Sequence, residues 1–463
     1  MKNCCFLLLP LLFGAQHATG QIDFDSQAIR FAHASFGQFH ELLSMPNDAH
    51  FPKNIEENMR WCEKAFASRG FSLKRLKTAT VPLLLAGRKS SRPVAKTVLA
   101  YMHLDGQPVD TALWFQENPW KPVLKKQVEG EGWVEIPWSN LDGDLDPAWR
   151  IFGRSASDDK GPAMALLAAL DALHMMNNEP ACNLKVIMDF EEELGSPHLP
   201  QAVADYRDDL AADVLVIFDG PRHISNEPTL TFGARGIADV TLTVYGPAFP
   251  QHSGHYGNYC PNPALRLAQL LASMKDDGGR VTIPGFYDGI ELDEATRGIL
   301  AAVPDDEKAI RDKLGIAAAD KVAANYQESL QYPSLNIRGL SAGWVREEAR
   351  TIIPATAVAE IDIRLVLESD PERLIGLLRK HIEGQGYHVV DHAPGNSERQ
   401  LYDKICRFDY SISYEAFRTE PDSGAGQWLS RAMLKAFGKE PVKIRTAGGS
   451  VPISPFVKTL NIP

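Results

Sequence analysis

Residues Asn183 to Pro197 read NLKVIMDFEEELGSP. The apolar run from Leu184 to Phe190 is short enough to be a buried strand. Three carboxylates follow in a row, Glu191, Glu192 and Glu193, and Gly195-Ser196-Pro197 then breaks the chain into a new element. Adjacent acids repel, so a folded chain keeps them for one of two reasons. Water screens them on a surface loop, or a cation gathers them, one carboxylate holding metal while its neighbour handles a proton. Acids at the strand ends before and after this one favour the second reason.

Upstream, Thr97 to Met102 reads as a strand ending in His103-Leu104-Asp105-Gly106. In extended backbone, residues two apart face the same side, so His103 and Asp105 point together. Between the two strands, GRSASDDKGP (153–162) leads into a strongly apolar helix, AMALLAALDALHMM. Asp158 and Asp159 therefore stand just before a helix N-terminus, where the macrodipole favours negative charge, and Asp159 reads as a helix-start acid. Downstream, a helical segment from His198 to about Ala212 leads to a strand, Asp213 to Phe218, that ends in Asp219-Gly220-Pro221. This alternation predicts an α/β fold with a mostly parallel sheet and its functional groups at the carboxyl ends of the strands. Ahead of it, Ile22 to about Phe71 reads as helical and Phe71 to Arg88 as strands. The segment Asp110 to Trp149, with Trp114, Trp120, Trp133, Trp138 and Trp149, reads as an irregular loop or edge hairpin whose aromatic rings cover the strand ends.

The pattern changes near Gly236. Ala238 to Tyr245 alternates polar and apolar residues, as a half-exposed antiparallel strand does. An amphipathic helix, Ala264 to Met274, a polar excursion, Lys275 to Gln331, two strands (334–340 and 356–366) and a helix beginning at Asp370 follow. The order fits a small ferredoxin-like α+β domain inserted into the larger one. The expected division is 1–20 leader, 21–236 first part of the catalytic domain, 237–412 inserted domain and 413–463 second part.

The 463 residues suffice for two domains, and 44% hydrophobic with 23% charged residues is ordinary globular composition. A net charge of -11 argues against a nucleic-acid partner. Lys2, the apolar run Cys4 to Phe13 and the small residues Ala18-Thr19-Gly20 before Gln21 read as a secretory signal peptide, hence a secreted or periplasmic protein. No apolar stretch is long enough to span a membrane. Beyond the leader, Cys62, Cys182, Cys260 and Cys406 are widely spaced; they form neither a zinc finger nor a disulfide framework, leaving free thiols or a single bridge.

A histidine and several acids at successive strand and helix edges form a ligand set for a hydrolytic metal site, since zinc takes imidazole nitrogen and carboxylate oxygen. Two metals about 3.5–4 Å apart need a bridging carboxylate, and a further carboxylate beside them acts as base. The successive stretches MHLDGQP, GRSASDDKGP, EEELGSP, FDG, QHSGHYGNYCPNP and AGGSVPIS, in order from 102 to 454, resemble the motifs of the M20 peptidase family, its carnosine dipeptidase-like branch in particular.

The resemblance implies a homodimeric two-zinc peptidase acting on dipeptides or short peptides, with Mn2+ or Co2+ as possible substitutes for zinc. It implies His103 and Asp219 on one metal, Asp158 bridging, Glu193 on the other metal and Glu192 as general base on a bridging hydroxide. Asp105 supports the site from behind; His252 in the inserted domain reaches the partner subunit's site and stabilises the oxyanion; Thr351, Arg364 and Ser450 bind substrate backbone or carboxylate. Two departures stand out. Ser155 occupies a position where the family motif has glycine, and the family's last metal-binding histidine lies beyond the point, Pro463, where this sequence stops. Both a longer chain and a protein lacking that ligand are compatible with this. An N-acyl-amino-acid amidohydrolase of the same fold and a non-catalytic dimeric binding protein are the alternative functions.

Overall fold

The computed structural model describes residues 24–463, so the segment read as a leader lies outside the described residues. The described residues form two units. The first takes the chain up to Leu230, with Thr419–Val442 and Pro455–Pro463; the second takes Thr231–Arg418 and Lys443–Ser454.

In the first unit, strands β1 (Ser72–Leu76), β2 (Leu83–Arg88) and β3 (Thr97–His103) precede a small antiparallel sheet of β4 (Val123–Val128), β5 (Gly132–Ile136) and β6 (Arg150–Phe152). Strands β7 (Asn183–Asp189) and β8 (Val214–Ile217) complete the main sheet, ordered β1-β2-β7-β3-β8. The parallel character expected from the sequence resides in β7, β3 and β8; β1 and β2 run antiparallel at one side. Strand β3 is central and carries a continuous apolar run, Val98 to Met102, all buried, because both faces of the sheet are covered. One cover is the helix Lys160–Met175, whose Leu166, Leu167, Leu170 and Leu173 share a core with Ala100, Met102, Val186 and Met188. Of the two readings of the tryptophan-rich segment the hairpin holds: it folds as the β4/β5 hairpin with β6, Trp133 edge-on to Phe152 and the Lys125 ammonium over the same ring.

After β9 (Thr229–Thr231), where the chain passes from the first unit to the second, the second unit continues with β10 (Gly233–Ala234) and β11 (Gly236–Tyr245). After β12 (Gln251–His252) come β13 (Ser334–Ser341), β14 (Ile352–Ile353), β15 (Thr356–Leu365), β16 (His388–Val390) and β17 (Ile405–Tyr414). The sheet order is β13-β15-β11-β17-β16, with β11 antiparallel to both neighbours. Residues along β11 are alternately buried and half-buried, as its sequence alternation requires. Helices Pro263–Ala272 and Pro371–Gly384 bury Leu267, Leu270, Leu374, Leu378 and Ile382 against Val240, Leu242, Ala359 and Ile361. The Asp370 carboxylate caps the second helix by accepting from the Arg373 amide. The polar excursion holds the short helices Glu294–Ala301, Glu307–Leu314 and Tyr326–Ser329.

The return to the first unit expected from residue 413 is interrupted. Residues 443–454 pack with the second unit, because the Phe232 amide donates to the Ile444 carbonyl and the Ala447 amide to the Gly233 carbonyl, zipping this segment onto the start of that unit. The cysteines Cys62, Cys182, Cys260 and Cys406 are free thiols. Among the described residues no helix is long and apolar enough to cross a membrane.

Candidate active site

Parallel β7, β3 and β8 end at one edge of the main sheet, and their register sets His103 opposite Asp189. The loops leaving these strands therefore converge. His103, the last residue of β3, is buried. Its Nε2 lies 2.8 Å from Asp158 Oδ1 and 3.9 Å from Asp219 Oδ2. Its Nδ1 lies 3.4 Å from Asp105 Oδ1, an ion-pair contact rather than a well-formed hydrogen bond. Asp105 is fully buried, and its other oxygen accepts from the Glu193 amide at 3.0 Å. One ligand atom each of His103, Asp158 and Glu193 lies within 4.8 Å of the others. The Glu193 carboxylate also accepts from the Gln107 side-chain amide.

The three consecutive glutamates part company. Glu191 turns away and accepts from the Thr80 hydroxyl at 2.6 Å. Glu192 and Glu193 lie in a single 3-10 turn closed by Gly195 at a φ of 86°, a left-handed conformation suited to glycine. Asp189, which the sequence reading passed over, builds that turn. Its carboxylate accepts from the Phe190 and Glu191 amides at 2.7 and 3.0 Å, from the Ser196 hydroxyl at 2.6 Å and from the Tyr101 hydroxyl at 3.2 Å. The signal was present as an aspartate ending an apolar run with a serine just past a glycine.

Asp159 requires a correction. It occupies the position before the helix Lys160–Met175 but makes no side-chain capping bond. It is buried instead, and its Oδ2 accepts from the His103 backbone amide at 3.2 Å, which ties the DDK segment to the end of β3. No periodicity in the sequence announces a contact across that separation.

The electrostatics are those of crowded acids around one imidazole. Burial, reinforced by Asp219, Glu193 and Asp105, pushes Glu192 up to about 8 against the opposing pull of His103. Burial raises Glu193, against the Gln107 hydrogen bond and with Asp158 adding to the rise. Burial also raises Asp219, and Asp159 well above the usual carboxylate range. Asp158, more open, is lowered by its bond to His103. Burial by itself would lower His103, but the Asp105 and Asp158 carboxylates outweigh it and raise the imidazole to about 12. Negative charge thus exceeds what one imidazole compensates. The donors are imidazole nitrogen and carboxylate oxygen, so the site fits a divalent cation such as zinc.

The remaining candidates lie in the second unit and form two pairs. His252, exposed on β12, stands opposite Ile352 of β14, and the adjacent Ser253 amide donates to the Thr351 carbonyl. Arg364 on β15 donates from Nη1 to Ser450 Oγ at 2.9 Å and lies 3.5 Å from Asp362, so it is no free surface charge.

Comparison with known proteins agrees with this architecture. A family model of the peptidase dimerisation domain matches residues 232–389. The Cys-Gly metallodipeptidase of Schizosaccharomyces pombe is 27% identical over 81% of this chain and 73% of its own length. The human Beta-Ala-His dipeptidase is 27% identical over 81% of this chain and 68% of its own. The crystal structure of an M20 family metallo-carboxypeptidase from Sulfolobus solfataricus superposes with a TM-score of 0.73 at 26% identity, covering 92% of this chain and 89% of that one. The chain is thus similar to hydrolases of the metallopeptidase class, and its residues 232–389 match a peptidase dimerisation domain. Within that class the similarity is to metallodipeptidases and to an M20 family metallo-carboxypeptidase.

Proposed function

We propose that the chain is a two-zinc dipeptidase that hydrolyses dipeptides or short peptides. The observation that carries the reading is the convergence of His103, Asp158, Glu193 and Asp219 at one strand edge with Glu192 beside them. His103, Asp158 and Asp219 would hold one ion, and Asp158 with Glu193 the other. A divalent cation there supplies Lewis acidity toward the scissile carbonyl and acidifies water. Glu192 takes the proton of the attacking water and returns it to the leaving amine, a role suited to a carboxylate next in the chain to the ligand Glu193. Asp105 orients two ligands at once, facing His103 Nδ1 and holding the Glu193 amide.

The matched dimerisation domain supports oligomerisation, and in a homodimer His252 of one protomer would serve the site of its partner and stabilise the oxyanion. Thr351, Arg364 and Ser450 would bind substrate backbone and carboxylate. The leader reading of 1–20 makes export part of the proposal, tested by an exported form beginning at Gln21.

The experiment is metal analysis of the purified chain with hydrolysis of Cys-Gly, β-Ala-His and a panel of N-acetyl amino acids. Bound divalent metal with dipeptide cleavage is expected. Cleavage of the N-acetyl compounds alone would indicate the amidohydrolase alternative, and no metal with no cleavage would refute a metallohydrolase.

A further inference from the structure

The end of the first helix, Phe24–Leu43, runs into a short segment, Ser44 to Asn47. It is held by buried polar groups from several directions. Lys160, with no exposed surface, donates from Nζ to the Leu42 and Met45 carbonyls at 2.8 and 2.7 Å. Asn58, equally buried, donates to the Pro46 carbonyl at 2.8 Å.

The segment in turn grips the corner that follows β3. Asn47, fully buried, donates from Nδ2 to the Leu104 carbonyl at 2.8 Å and to Ser155 Oγ at 3.0 Å. Its own carbonyl accepts from the Gly106 amide at 2.9 Å. Leu104 and Gly106 flank Asp105, so Asn47 straddles the residue that faces both His103 and Glu193.

Ser155 completes the brace. It is buried at a φ of 62°, a left-handed conformation that strains any residue but glycine. The strain is carried by a side chain whose hydroxyl accepts from Asn47 and reaches the Asp105 carbonyl at 3.5 Å. The fit is close: a Cβ at Gly106 would overlap Ser155 Oγ and press on Asn47 Nδ2.

We propose that Asn47, locked by Ser155, is a positioning residue that sets the Leu104–Gly106 corner and through it the alignment of His103 and Asp105 toward the metal. The inference rests on the metal-dependent reading given above. Groups that touch a metal ligand directly, as Asp105 does, typically change metal affinity by about 10–100-fold, and Asn47 acts one step further out, so the low end of that range is expected.

The decisive variant is Ser155→Gly, which removes the hydroxyl and at the same time releases the backbone strain. The full chain and the variant are compared by thermal unfolding without metal, by Zn2+ affinity in chelator competition, and by kcat and KM on a dipeptide. The expected result is a melting temperature equal to or above the parent's, a Zn2+ affinity about tenfold weaker, and a lower kcat with KM little changed. Asn47→Ala should weaken Zn2+ binding at least as much while also lowering the melting temperature, since it orphans the Leu104 carbonyl. Ser155→Gly with parental Zn2+ affinity and kcat would overturn the positioning role and leave the metal site itself intact. Absence of Zn2+ binding and turnover in the parent would instead overturn the metal-dependent reading and this inference with it.

Discussion

Asp105→Asn tests the site most sharply because one fully buried carboxylate serves two ligands. Oδ2 accepts from the Glu193 amide at 3.0 Å, and Oδ1 lies 3.4 Å from His103 Nδ1. His103 Nε2 faces Asp158, so ligation through Nε2 needs the proton on Nδ1, pointing at Asp105. An asparagine has the same shape but only one acceptor oxygen. If that oxygen keeps the Glu193 amide, its NH2 faces His103 Nδ1 and favours the tautomer protonated on Nε2, which cannot ligate. If the amide flips, an N–H meets the Glu193 N–H. Either way one interaction with a charged acceptor is lost, the His103 contact in the first case and the Glu193 hydrogen bond in the second, and a charged acceptor's bond is worth about 1.5–3 kcal/mol. At about 1.4 kcal/mol per tenfold, Zn2+ affinity should fall about 10–100-fold. The metal-free chain should unfold no earlier than the parent, because a neutral amide is easier to bury among these acids than a carboxylate. Chelator competition gives the affinity and thermal unfolding the control. An Asn variant that binds Zn2+ as tightly as the parent would show that Asp105 does not orient His103.

Four further outcomes are expected at and around the proposed site. Glu192→Gln should retain metal and lose about 10²–10⁴-fold in kcat, since an amide accepts no proton from water; near-parental kcat would remove Glu192 from its role. Asp158→Ala should lose tight metal binding with little change in the metal-free melting temperature, because that side chain is largely exposed. Asp159→Ala should lower that melting temperature, because the His103 amide is left without its acceptor, and the same thermal profile in both variants would refute the distinction. Mixing inactive Glu192→Gln protomers with inactive His252→Ala protomers should restore activity, since each mixed dimer has one intact site; no recovery after confirmed subunit exchange would place His252 with its own chain's site.

Strand β3, β7 and the helix Lys160–Met175 were legible in the sequence because each is a local apolar run with a punctuated end. The pairing of His103 with Asp105 was legible too, since the two-residue period of a strand puts both on one side. The same local rules described strands and helices of the second unit, among them the helix that starts beside Asp370. They failed for Asp159, where proximity to a helix start suggested a cap and burial against β3 produced an acceptor for the His103 amide.

Sequence by itself determined which chemical groups stand at strand ends and in what order, because short-range periodicity and turn residues are encoded residue by residue. Only the tertiary structure decided which of them meet. Glu191 is drawn away to Thr80 while Glu193 is fastened to Asp105, and Asn47 closes on Ser155 across a long stretch of chain. Residues 443–454 likewise join the second unit. The physical reason is that such contacts depend on strand register and on the need of buried polar groups for partners, and neither leaves a local trace in the chain.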